Sequence, residues 1–244
     1  MSKSAKWLIG GITILVVAAV LGGGLWWFFR DDAPAKVDLD AAAQSVDTAP
    51  TSAAQGAPTP DVIEGTWKVD AASGDFDFKE ATGTFAGFRI EEELAGIGST
   101  TAVGRTDAVS GSLTITGTTV TVGKIEVDLS QVTTNDSRRD RQVSRAFRAS
   151  TDASFVLTQP VELGAGAANG ETVAFDAVGD LTVNGTTRSV TWPIEARLVN
   201  GTIVAVGSLE IEFDDYDVKV PSSQIVLSVE DHGILEFQLL FTRA

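Results

Sequence analysis

Five arginines, Arg138, Arg139, Arg141, Arg145 and Arg148, fall within eleven positions of the stretch TTNDSRRDRQVSRAFR, residues 133–148. A planar guanidinium forms paired, charge-assisted hydrogen bonds to phosphate and carboxylate. Such a cluster can hold an anionic head group, bind nucleic acid, or pair with the protein's own acids. The chain around it is acidic, with a formal net charge of −15. Other candidates for chemistry are few. The single histidine, His232, stands in EDHG, which reads as a hairpin turn. Glu91, Glu92 and Glu93 form one carboxylate run, and Asp214, Asp215 and Asp217 another. Neither spacing matches a calcium loop, so both read as solvated faces. There is no cysteine, which excludes disulfides, thiolate metal sites, thiol nucleophiles and a lipid-modified cysteine anchor. No serine sits in a nucleophile elbow, and the glycine-rich GAGAANG at 164–170 lies between strands, not ahead of a phosphate-binding helix. These residues offer binding, with no catalytic residue, metal or cofactor assigned.

The elements that position them begin with an anchor. Residues 7–29, WLIGGITILVVAAVLGGGLWWFF, carry no charge. As a helix they span about 34 Å, enough to cross a bilayer core. Trp7, Trp26 and Trp27 mark its ends, where indoles favour the head-group region. Lys3 and Lys6 precede the span and Asp31 and Asp32 follow it, which keeps the N-terminus cytoplasmic and sends the remainder outside. The apolar run is too long for a cleaved signal peptide. Residues 1–30 are therefore read as a cytoplasmic N-terminus and a single transmembrane helix. Residues 31–61, rich in Ala, Pro, Thr, Ser and Asp, are read as a flexible linker.

Residues 62–244 form the third unit. They hold 14 basic and 27 acidic residues, a net of −13. Short alternating segments separated by turn residues predict an all-β domain of nine to eleven antiparallel strands. Val173, Phe175, Ala177, Leu181 and Val183 share one face, and Val190, Trp192, Ile194, Ala196 and Leu198 share the face of the returning strand. Asn184-Gly185 and Asn200-Gly201 suit type I′ turns, whose central residues need positive φ. A change of parity after Val122 predicts a bulge near Gly123-Lys124. Closure into a barrel removes both exposed edges, and about eight strands can enclose one small ligand or fill the middle with side chains.

Segment 137–148 predicts a short helix, capped by Asp136 or Ser137, with Val143 and Phe147 four apart on one face. Nucleic acid is excluded as partner. The arginines are offset by Asp136 and Asp140, lack interleaved aromatics, and sit on a domain of net −13. Two roles stay open. Arg139 with Asp140 can fix the helix to the barrel end, and Arg138, Arg141 or Arg145 can line a mouth that meets an anionic head group.

GTWKVD, GSLTI, IEVDLSQVTTNDSRRD, FRASTDASFVLTQPVEL, GDLTVNGTTRSVTWPIEA and IEFDDYDVKVPS together resemble the YceI-like family of extracytoplasmic polyisoprenoid-binding proteins over residues 63–244. EEELAGIGSTTAVGRTDAVSG is similar to the actinobacterial branch. The resemblance implies an extended, lipocalin-like antiparallel β-barrel with one short helix. Its apolar interior would hold a long isoprenoid chain, such as a quinone tail or polyprenyl phosphate. Many relatives carry His-Leu after Arg-Asp, whereas Arg141, Gln142 and Val143 follow Asp140 here. Most relatives also lack an anchor. Strand parity and the resemblance together nominate Trp67, Phe76, Phe78, Phe88, Phe155, Phe175, Trp192, Phe213 and Phe237 as an inner wall. The expected protein is a membrane-tethered, extracytoplasmic, non-enzymatic lipid binder. The competing reading is a side-chain-filled barrel whose partners dock on its surface.

Overall fold

Asn184 and Gly185 have φ of 50° and 79°, and Asn200 and Gly201 have 48° and 79°. Positive φ at both central residues is what a two-residue hairpin needs to match strand twist. These turns connect β9 (Val173–Val183), β10 (Thr186–Val199) and β11 (Thr202–Glu212). In this computed structural model the described residues are 33–48, 63–94, 98–135, 137–147, 149–219 and 226–244. The apolar stretch 7–29 lies outside them. No helix among the described residues is long and apolar enough to cross a membrane.

The remaining strands are β1 (Gly65–Val69), β2 (Phe85–Leu94), β3 (Gly98–Thr106), β4 (Val109–Thr116), β5 (Thr119–Asp128), β6 (Thr133–Thr134), β7 (Asp152–Leu157), β8 (Val161–Glu162), β12 (Val226–Val229) and β13 (His232–Arg243). Eight of them close a ring in the order β1-β4-β5-β7-β9-β10-β11-β13 and back to β1. β13 makes closure possible by sharing one edge between two partners. Ile234–Gln238 pair with β2, and Phe241–Arg243 pair with β1. The bulge in β5 falls at Thr121, because Thr114 pairs Val122 while Ile115 pairs Val120. That is two residues earlier than expected. It turns Val122 outward, where it is exposed, and Ile125 and Val127 inward. Pro193 has no N–H for the ladder, and the β10–β11 pairing starts only at Ile194.

Residues 33–48 correct the linker reading for that part of the chain. α1 (Leu39–Thr48) packs on the outside of the barrel. Asp38 caps it by accepting from Ala41 N at 2.9 Å. Leu39 and Ala42, with Val46 beside them, cover the outward faces of Val204, Val206 and Leu240. Val204 is thereby 0 % and Leu240 2 % exposed although both point away from the interior. Arg197 joins Asp40 at 2.6 Å, and Asn200 Nδ2 donates to Asp47 at 3.0 Å. The apolar spacing of Leu39, Ala42, Ala43 and Val46 is helical. It is masked at composition level by the alanines, serines and aspartates between.

Just ahead of α1 the chain crosses a buried ion triad. Arg89 of β2 and Arg105 of β3 flank Glu236 of β13, at 2.6 and 2.9 Å. Both arginines also donate to backbone carbonyls of the crossing segment: Arg89 Nη2 to Pro34 O at 2.7 Å and Arg105 Nη2 to Ala35 O at 2.7 Å. Burial pulls the Arg105 guanidinium below its ordinary value, and Glu236 opposes that shift. Two cations against one carboxylate need further acceptors, and the carbonyls supply them. The β1–β2 connection lies on the same outer side, with Phe78 O accepting from Arg105 Nη1.

His232 opens β13 instead of sitting within the turn. Its Nδ1 is 3.1 Å from Asp231 and its Nε2 3.3 Å from Glu230. The Asp231 hydrogen bond, followed by the fields of Glu230 and Glu210, raises its pKa, and the same contact lowers that of Asp231.

Three outcomes follow. Glu236→Gln leaves two buried guanidinium groups underpaired and costs about 3–5 kcal/mol, read as a lower urea midpoint at unchanged slope. Leu39→Ala costs about 2–3 kcal/mol in the same assay, whereas truncating a linker residue would cost nothing. His232 titrates above its unfolded value of about 6.5. Its contribution is complete below that value and is lost as pH rises through the folded one. An NMR titration reads this directly, and Asp231→Asn returns the midpoint toward 6.5.

Candidate functional site

The barrel interior is built by alternation. Ala86, Ile125, Val127, Phe175, Ile194 and Phe237 come from five strands and face one another. At one end the interior is filled. Trp67 is 1 % exposed, with Ile115, Leu239 and Phe241 almost equally buried around it. Trp67 Nε1 donates to Ile63 O at 2.8 Å, and Arg243 stacks over its ring at 4.7 Å. At the opposite end Leu181, Val183, Ile211 and Tyr216 form a second buried set. Burial raises the Tyr216 phenol, helped by Asp215 and opposed by Arg188.

Between these ends most large inward side chains are only half-buried, Trp192 being the exception. Phe155, Phe175, Ile194, Leu209, Leu235 and Phe237 keep accessible surface although they face inward. In a filled barrel such residues would be the least accessible of all. The glycines of the wall explain the space. A Cβ on Gly207 would lie 2.7 Å from Phe237 Cζ, one on Gly104 2.5 Å from Phe88 Cζ, and one on Gly179 2.4 Å from Phe155 Cζ. Each ring therefore lies against a bare stretch of the neighbouring strand instead of projecting across the interior. Trp192 joins them, edge-on to Phe155 at 5.8 Å and to Phe237 at 5.2 Å.

The nominated wall residues divide accordingly. Phe155, Phe175, Trp192 and Phe237 line the middle, and Phe88 lies on the inward face of β2 over Gly104. Trp67 is inside but belongs to the plug. Phe76 and Phe78 lie in the β1–β2 connection, not on a strand. They fall in neither interior cluster. Phe213 is also off the strand. β11 ends at Glu212, and Phe213 starts a short 3-10 turn, Phe213–Tyr216, with its ring over Gly233. The alternation of FDFKEATG and IEFDDY continues through the chain reversals, so parity alone carried these three too far.

The arginine segment forms α2 (Ser137–Ala146) at the end of the barrel where β2 finishes. Arg139 pairs with Glu92, on the inward face of β2, and its Nη1 donates to Asn135 at 2.6 Å. Asp140 accepts from Thr134 N at 2.9 Å and from its hydroxyl at 2.7 Å. Arg139 and Asp140 thus tie the helix to the barrel through different partners. Val143 and Ala146 are buried, and Phe147 packs on the interior cluster of that end. Arg141 and Arg145 are exposed on the helix; the side chain of Arg138, with Asp136 and Arg148, lies outside the described residues. The sequence reading missed Asn184. Beyond its turn, it accepts from Ala149 N at 2.9 Å and donates to Asp217 O at 3.1 Å, stitching the loops of this end together. Its Asn-Gly signature gave the turn but not the stitching. Among the described residues no group of three or more His, Cys, Asp or Glu is placed to hold a metal ion. An open groove of about 490 Å³ runs beside Val37 along β9, β10 and β11, with Asp176 and Glu195 as well as Phe175, Ile194 and Gly207 among its lining residues.

This architecture is shared with a polyisoprenoid binding domain from Saccharophagus degradans implicated in plant cell wall breakdown. The two are 17 % identical with a TM-score of 0.54, over 73 % of this chain and 98 % of that one. Burkholderia cenocepacia BcnA is 18 % identical at a TM-score of 0.49, over 70 % of this chain and 98 % of its own. The Campylobacter jejuni YceI protein is 15 % identical at 0.44, over 56 % and 82 %. No curated protein matches the sequence. The model of the YceI-like domain matches residues 39–241, from the first turn of α1 to the last strand, and the chain belongs to that family.

Proposed function

We propose that this protein binds a lipid with a long isoprenoid chain, such as a prenylated quinone or a polyprenyl phosphate, inside the barrel. Residues 7–29 would hold it at the membrane with the barrel outside the cytoplasm. The observation that carries the reading is the half-buried apolar interior between two buried ends, its aromatic rings packed against wall glycines. Burying apolar ligand surface there returns about 25 cal/mol per Å² before association costs. A flexible isoprenoid chain suits a long, narrow, featureless wall better than a compact polar metabolite does, since the half-buried middle offers few polar partners. The polyisoprenoid-binding description of the Saccharophagus degradans domain agrees with it. The uncharged span of 7–29 supports the tether, and a tethered carrier draws its ligand from the adjacent bilayer. The exposed Arg141 on α2 would meet an anionic head group held at that end.

Native mass spectrometry of the full chain, followed by extraction of the bound species, should yield a stoichiometric isoprenoid lipid. Gly207→Leu, which pushes Phe237 off the wall and into the lumen, should reduce bound lipid at least about tenfold while the strands persist by circular dichroism. An empty wild-type protein that also refuses added prenyl quinones and polyprenyl phosphates would point instead to a barrel whose partners dock on its surface.

A further inference from the structure

The middle of the interior holds one unmet polar group. Among the described residues, Trp192 Nε1 is buried without a hydrogen-bond partner, on a side chain only 7 % exposed. Trp67 shows the ordinary solution, since its indole N–H is given a backbone carbonyl. Leaving a buried donor unsatisfied costs more than a typical hydrogen bond returns, so a protein that keeps one needs a reason. Gly207 lies beside the N–H, and a Cβ there would come within 3.0 Å of it. The ring itself is held by edge contacts to Phe155 and Phe237. The donor is thus fixed in direction and enclosed, between the Phe237 ring and the stretch of β11 that has no side chain.

We infer that Trp192 Nε1 donates a hydrogen bond to an uncharged oxygen of the lipid, a carbonyl or hydroxyl, drawn down to the middle of the barrel. This rests on the lipid-binding reading and sharpens it. The oxygen must be uncharged because the neighbours of the indole, Phe155, Ile194, Leu209 and Phe237, offer no cation. A phosphate would be stripped of water there without a counter-charge. The cation described at the α2 end of the interior, Arg139, is already paired with Glu92. A quinone-type ring satisfies both demands, because it stacks among aromatic edges and presents a carbonyl oxygen. A polyprenyl phosphate would have to keep its head at the mouth, leaving the donor unmet.

The test uses the full chain with 15N-labelled tryptophan and three probes: a short-chain prenyl benzoquinone, the matching hydrocarbon without oxygen, and farnesyl phosphate. The Trp192 indole signal is identified by its loss in Trp192→Phe or by its through-space contacts to the Phe237 ring. With the quinone it should move downfield, and with the hydrocarbon it should not. Trp192→Phe keeps an aromatic ring at the site and should weaken the quinone about fivefold, leaving the hydrocarbon within twofold. If that variant fails to fold, the indole shift in the unsubstituted protein decides alone. Equal losses for quinone and hydrocarbon, or an indole proton unmoved by the quinone, overturn the donor role while leaving lipid binding intact. A downfield shift produced only by farnesyl phosphate overturns the uncharged head group. Failure of all three probes to bind overturns the lipid reading and this inference with it.

Discussion

An inward-facing phenylalanine in an eight-stranded barrel can reach across the middle and fill it, or lie along the wall and leave it open. Which happens is decided by the residue on the adjacent strand. Any Cβ at 104, 179 or 207 would collide with a ring at 2.4–2.8 Å, so a substituted neighbour would force the ring inward. Glycine at all three positions lets Phe88, Phe155 and Phe237 pack against the wall. The lumen is therefore a consequence of small residues in the wall as much as of large ones lining it. Everything proposed about ligand depends on that exchange of a filled core for a lined one.

A lined core gives up burial that an ordinary domain would use for stability, at about 25 cal/mol per Å². The protein recovers part of it on the outside of the same strands. Beneath α1, β11 and β13 are apolar on both faces: Gly207 and Leu239 point in, while Val204, Val206 and Leu240 point out. Two strands sealed from outside do not need interior packing to stay in register. The buried triad of Arg89, Arg105 and Glu236 belongs to this outer layer. A buried ion pair adds little net stability over an apolar substitute. Its geometry, however, fixes the crossing chain through the carbonyls of Pro34 and Ala35.

The barrel, its hairpins and the helix of the arginine segment were legible in the sequence, because alternation, Asn-Gly pairs and a capped polar run are local signals. What was not legible shares one physical character. Arg89, Arg105 and Glu236 occupy outward strand positions where a charge ordinarily meets water, and nothing local says that another segment covers them. The cover was readable only indirectly, from the apolar outward positions Val204, Val206 and Leu240 and the helical spacing of Leu39, Ala42 and Val46. Phe76, Phe78 and Phe213 failed in the opposite sense, since alternation persists where the backbone has already turned. The wall residues Phe155, Phe175, Trp192 and Phe237 were readable as an inner wall, but whether they lie along it or fill the middle was not. That role is set by glycines on neighbouring strands, and pairing across strands is a tertiary fact.

The two tryptophans of the barrel show how the same residue type is put to opposite uses. Trp67 is wedged at the closed end, its N–H satisfied by Ile63 and its face covered by Arg243. It has no surface left to offer a ligand. Trp192 is equally enclosed by rings, yet its donor is left unmet beside a glycine. Size and hydrophobicity cannot separate the two, because both indoles are buried and both lie on inward strand positions. The difference lies in whether the backbone spends a carbonyl on the N–H. At the plug it does, so that end is finished as structure. In the lumen it does not, and the remaining bond is left for whatever enters.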